Sequence, residues 1–110
     1  MTIKKFFMPL LFVLSLFLQS PAFSEPSKGV IVFCDDNLVI IQSLSTYDYT
    51  MGELYSFGIY DIEDKVVGEM NSYGIHDFYN LNKDVTMKIY VDDFMASETT
   101  AIEWLRRKKR

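Results

Sequence analysis

Two runs, Gly29-Val-Ile-Val-Phe-Cys34 and Leu38-Val-Ile-Ile-Gln-Ser-Leu44, stand either side of Asp35-Asp36-Asn37, and this pairing constrains how the chain can fold. β-branched and aromatic residues favour strand, and Asx residues form turns and tolerate positive φ, so the segment predicts an antiparallel hairpin. The runs are continuously apolar rather than alternating. Such strands are covered on both faces, or by their own core on one face and a partner on the other. A small chain rarely buries both faces of a strand alone, so self-association is one expectation.

The chain is small once its start is set aside. Residues 1–24 read as a secretory signal peptide: Lys4 and Lys5 form a positive start, residues 6–18 an apolar run, and Ala22-Phe23-Ser24 places small residues at the expected cleavage point. The run is shorter than the roughly 20 apolar residues that a membrane span needs. Residues 25–110 then form a single β-rich domain, opened by the polar leader Glu25-Pro-Ser-Lys28, which has no reason to be ordered. Cys34 is the only cysteine, so no intramolecular disulfide staples this domain, and its place after an apolar run predicts a buried thiol.

Further along, residues 45–52 read as a polar, aromatic-rich connection or a short edge strand, with Tyr47 and Tyr49 either side of Asp48. Residues 54–61 and 65–71 read as a second hairpin about Ile62-Glu63-Asp64. Residues 80–84 form a polar turn. In Val85-Thr-Met-Lys-Ile-Tyr-Val91, apolar and polar residues then alternate, the pattern of a half-buried strand. Ser97 or Thr100 caps a terminal helix whose acidic start and basic end match the helix dipole, and whose short apolar stripe (Ala101, Ile102, Trp104, Leu105) needs docking to be stable. The fold expected is mainly β: a small antiparallel hairpin-based domain with a short C-terminal helix.

An internal echo accompanies the second hairpin. Ser56-Phe-Gly-Ile-Tyr-Asp61 returns sixteen residues later as Ser72-Tyr-Gly-Ile-His-Asp77, and a short fixed period suggests a stacked or radial repeat. With the Lys65-Val-Val-Gly68 return, residues 56–74 resemble one unit of exported bacterial β-hairpin repeat proteins of the β-flower type. The resemblance implies short hairpins arranged about a pseudo-symmetric axis and no activity. Asp64 stands where that family prefers glycine, and the second unit lacks the Lys-Val-Val-Gly return.

Few constellations carry chemistry. Tyr90-Val-Asp-Asp93 matches the Tyr-x-Asp-Asp signature of reverse-transcriptase palms, yet a polymerase palm does not fit in a domain this small, and acidic residues ending a strand on its solvated side explain the pattern. Weak cation binding at Asp92 and Asp93, or at Asp35 and Asp36, has no Ca²⁺-loop spacing behind it. Cys34 and the sole histidine, His76, form the one conceivable nucleophile pair, a minor enzymatic alternative that needs distant strands to converge. No metal-ligand spacing or phosphate-cradling loop accompanies them, so no cofactor is expected.

Charge gives the clearest functional hint. Residues 25–105 carry 15 acidic and four basic side chains, while residues 106–110, Arg106, Arg107, Lys108, Lys109 and Arg110, are all basic. That tail can face the chain's own acidic body, an anionic membrane surface or an acidic partner. Nucleic acid is excluded, since the acidic body repels phosphate. The expectation is a non-enzymatic binding or assembly module, exported to the periplasm or secreted, with a protein partner or a second copy as its ligand. The alternative is a small secreted effector or inhibitor acting on another protein. In either case the contact residues expected are Tyr47, Tyr49, Tyr55 and Tyr60 with the basic tail, because Tyr combines area with a polar tip.

Overall fold

A computed structural model describes residues 26–56 and 59–109; the signal segment, Gly58 of the echo and Arg110 of the tail lie outside the described residues. Among the described residues six strands, β1 (Ser27–Asp35), β2 (Leu38–Ser43), β3 (Tyr49–Leu54), β4 (Lys65–Gly68), β5 (Gly74–Asn80) and β6 (Val85–Ala96), precede helix α1 (Glu98–Lys108). The strands close into an antiparallel barrel in the order β1-β2-β3-β6-β5-β4. The chain is therefore mainly β with one short C-terminal helix. Two three-stranded meanders, β1-β2-β3 and β4-β5-β6, meet along β3–β6 and β1–β4, and closure leaves no sheet edge unpaired.

The first hairpin forms as expected, with Asp36 at φ 55° in its two-residue turn. Within β1 a bulge between Ile31 and Phe33 resets the inward–outward phase. Ile31 and Cys34 face the barrel interior, while Phe33 packs on the outer face. β1 starts two residues earlier than the leader suggests, since Ser27 and Lys28 pair with Gly68 and Val67. Inside the barrel lie Ile31, Val39, Ile41, Val66, Met70, Phe78, Met87, Ile89 and Val91.

The continuously apolar β2 has a clear explanation. Val39 and Ile41 point inward, while Leu38 and Ile40 point outward under α1, packed with Met51, Ala96, Ala101 and Trp104. Both faces are covered by this chain itself, so the apolar pattern calls for no second copy. Ser97 caps the helix, its side chain accepting the Thr100 N–H at 3.2 Å.

The second predicted hairpin does not form. Of the described residues in 54–61 only Leu54 lies in a strand, at the end of β3, while residues 65–68 form β4 between β1 and β5, so the two expected arms do not pair with each other. The connection from β3 to β4 crosses one end of the barrel instead. Tyr60 packs there against the interior, and its hydroxyl donates to the Asp36 carbonyl at 3.0 Å. The two copies of the echo consequently sit in different settings, Ile59 to Asp61 in this connection and Ile75 to Asp77 within β5. Residues 45–52 mislead for a related reason: Thr50, Met51 and Gly52 are buried in β3 although their surroundings are polar.

A polar network closes the same barrel end. The buried Asp64 carboxylate accepts from Asn80 Nδ2 at 2.9 Å, from the Asp61 N–H at 2.9 Å and from Lys83 Nζ at 2.9 and 3.0 Å. Asn80 in turn accepts the Asn82 and Lys83 N–H groups, each at 2.9 Å, which fixes the β5–β6 turn. Burial alone raises the Asp64 carboxyl, but the bonds from Asn80, Lys83 and Asp61 and the Lys83 charge outweigh it and hold it below the usual carboxylate range.

Candidate binding face

Outward positions of β3, β6 and β5 line up across the sheet. Glu53 lies opposite Tyr90, and Tyr90 lies opposite Ile75. On this row Tyr90 and Ile75 are on the solvent side because Met87, Ile89 and Val91 take the alternate, inward positions. Just past the end of β3, Tyr55 stacks on Tyr90 with ring centroids 6.0 Å apart and planes at 27°. The Tyr55 N–H donates to the Lys88 carbonyl at 2.7 Å, and the Lys88 N–H donates to Ser56 Oγ at 3.0 Å, so the ring is carried by a pinned backbone. Toward the other barrel end, Tyr73 tilts against Phe94 with centroids 4.8 Å apart.

These side chains are exposed although apolar: Tyr73 64%, Tyr55 61%, Ile75 51% and Tyr90 37%. Taking about 200 Å² for a large side chain, the neighbouring Tyr55, Ile75 and Tyr90 present roughly 300 Å², a size at which a patch on a monomer is often functional. An ion pair from Lys88 to Asp77 at 2.8 Å borders the patch. Rigid rings on paired strands lose little entropy on binding, which suits a contact surface.

The tyrosines expected to form one rim are dispersed. Tyr55 belongs to this face. Tyr47 is exposed in the β2–β3 connection at φ 65°, Tyr49 packs in the cluster under α1, and Tyr60 plugs the barrel end. Ile75 and Tyr90 join Tyr55 on this face without having been expected there, whereas Tyr73 packs on Phe94, which itself packs against the interior cluster. The available signal was a large side chain on the polar phase of each strand, Tyr90 beside Lys88 and Ile75 beside Asp77.

Two residues of the basic tail turn onto the chain's own body. Lys108 Nζ meets Glu53 at 3.1 Å and Asp92 at 3.4 Å, and Lys109 meets Asp35. The hydrogen bond to Glu53 leads the causes that raise the Lys108 pKa, and the bond to Asp35 does so for Lys109. These lysines line an open cleft of about 360 Å³ with Asp36, Asn37, Leu38 and Glu53. Arg106 and Arg107 are exposed and form no ion pair among the described residues.

The remaining candidates have structural surroundings. Asp92 does not end a strand, because β6 continues to Ala96; it accepts the Trp104 indole N–H. Cys34 is half-buried rather than fully buried. Burial first, then the charges of Asp61 and Asp64, raise its pKa, which keeps the thiol protonated and a poor nucleophile. His76 hydrogen-bonds the Tyr73 carbonyl at 3.1 Å, and no hydrogen bond joins it to Cys34 among the described residues. No group of three or more metal-binding side chains occurs among the described residues, and no helix among them is long and apolar enough to cross a membrane.

Set against protein-family models, curated proteins and solved structures, the chain matches none of them. The class is thus given by the fold and the face together: a small antiparallel barrel that displays ordered aromatic side chains on one outer face.

Proposed function

We propose that this chain is an exported, non-enzymatic binding module of the bacterial envelope or secreted fraction, and that it holds a protein partner against the aromatic face of β5 and β6. The observation that carries this reading is the Tyr55–Tyr90 stack beside Ile75, exposed on the outer side of a sheet whose inner side buries Phe78, Met87, Ile89 and Val91. The positive start and apolar run of residues 1–24 support export. The tail plays the lesser part, since Lys108 and Lys109 are committed to Glu53, Asp92 and Asp35.

Site-specific photo-crosslinking in the exporting cell tests the proposal. A photoreactive phenylalanine replaces Tyr55 or Ile75 in turn, with Thr46 in the β2–β3 connection and Leu81 in the β5–β6 turn as exposed control positions elsewhere on the surface. The expected result is one discrete adduct at both test positions, abolished by Tyr90→Ser, and none at the controls. Equal labelling at all four positions, or none at positions 55 and 75, contradicts the proposal.

A further inference from the structure

Helix α1 covers an apolar face that the barrel must hide, yet it is tied down by few groups. Of its eleven residues only Ala101 and Trp104 are buried. Its far end is held by Lys108 and Lys109, whose ion pairs are partly open to solvent and are weakened accordingly by screening. A groove of about 240 Å³, lined by Phe33, Ile40, Tyr49, Ile102 and Leu105 among others, runs alongside, so the helix does not fill the face it covers. Elements with few buried contacts open locally before the whole fold does.

The link to the barrel is short. β6 ends at Ala96 and α1 begins at Glu98, which leaves Ser97 alone between them. Two residues before that link, Met95 has φ 52° and an exposed side chain, in the left-handed region that costs a residue with a Cβ. With the helix lifted off the barrel, Met95 would be free to leave the left-handed region for an extended conformation. Short links that hold a residue in such a conformation favour exchange of the following element between molecules.

We infer that α1 exchanges between two copies of this chain, each helix seating on the outer face of the other's β1, β2 and β3. The occupant is a second copy because the face is complementary to this helix in particular. Trp104 enters between Leu38, Ile40 and Met51 and donates to Asp92, while the two terminal lysines find Glu53, Asp92 and Asp35. Each of these contacts is remade between chains in the exchanged dimer, and the aromatic face of β5 and β6 is left free. The inference is independent of the proposed partner.

The test starts from the unmodified protein and adds one variant. Equal amounts of ¹⁴N- and ¹⁵N-labelled chains are mixed at high concentration, and a zero-length carbodiimide joins Lys108 to Glu53 where they touch. Dimer and monomer are then separated and their cross-linked peptides weighed. Exchange predicts mixed-isotope Lys108–Glu53 peptides as about half of those in the dimer, as expected for random pairing of copies in a two-fold assembly. It also predicts that Met95→Gly, which removes the left-handed cost, lowers the dimer fraction by about fivefold or more. Only same-isotope peptides in the dimer, absence of any dimer, or a dimer fraction unchanged by Met95→Gly overturns the inference.

Discussion

Trp104 donates its indole N–H to Asp92 Oδ2 across 2.7 Å while its ring, only 2% exposed, lies between the helix and the outer face of the barrel. One side chain therefore supplies both the apolar area and the polar bond that seat α1, and Lys108 at 3.4 Å balances the charge of the same carboxylate. Trp104→Ala is expected to cost about 3–5 kcal/mol, and Trp104→Phe, which keeps a ring but loses the bond, about 1.5–3 kcal/mol. Urea titrations followed by circular dichroism measure both.

The Asp64–Asn80–Lys83 network makes stability depend on pH. The Asp64 pKa is depressed in the folded state, so its contribution is fully present above its unfolded value, about 3.9, and is lost as pH falls through the lower folded value. The Lys83 pKa is raised, chiefly by its bond to Asp64, so its contribution is present below its unfolded value and lost as pH rises through the higher folded one. Urea midpoints measured across the acid limb should fall less steeply for Asp64→Asn than for the parent. An identical acid limb in the two proteins removes Asp64 as its source.

Gly68 lies opposite Phe78 in the β4–β5 pair, and a Cβ at position 68 would run into the Phe78 ring. The ring covers the glycine and fills the barrel at 0% exposure. Gly68→Ala is expected to destabilise by about 1–3 kcal/mol. Phe78→Leu should relieve part of that cost, giving a coupling of about 0.5 kcal/mol or more in a double-mutant cycle.

The aromatic face should be separable from stability. Tyr55 is 61% exposed and Tyr73 is 64% exposed, so Tyr55→Ala and Tyr73→Ala are each expected to shift stability by no more than about 0.5–1 kcal/mol. Thermal melts check this, and large losses at both positions make the rings structural supports instead.

Much of the fold was legible because local rules and tertiary packing agree. The Asp36 turn with its apolar flanks, the alternation of residues 85–91 and the Ser97 cap each specify their element. Residues 54–71 were misread because both halves look locally like a hairpin, while the strands that pair with them lie far along the chain. β3 finds β6 and β4 finds β1, pairings set by burial of Met51 and Val66 rather than by any turn. The aromatic face was only partly legible for the same reason. Tyr55 and Tyr90 are 35 positions apart, and only the β3–β6 register stacks them. Tyr49 and Tyr60 share its composition but pack against the two clusters.

Barrel closure is the central structural claim, because it explains how a small chain covers its own apolar strands and leaves the Tyr55–Tyr90 face in solvent. It rests on β1 pairing with β4, where Gly29 faces Val66 and Lys28 faces Val67. Native-state amide hydrogen exchange tests it most directly. The account predicts that the ladder amides of β1 and β4 are protected to about the same free energy as those of the β5–β6 hairpin, the signature of one cooperative unit. Fast exchange along β1 and β4 beside a protected β5–β6 hairpin means an open sheet, and contradicts it.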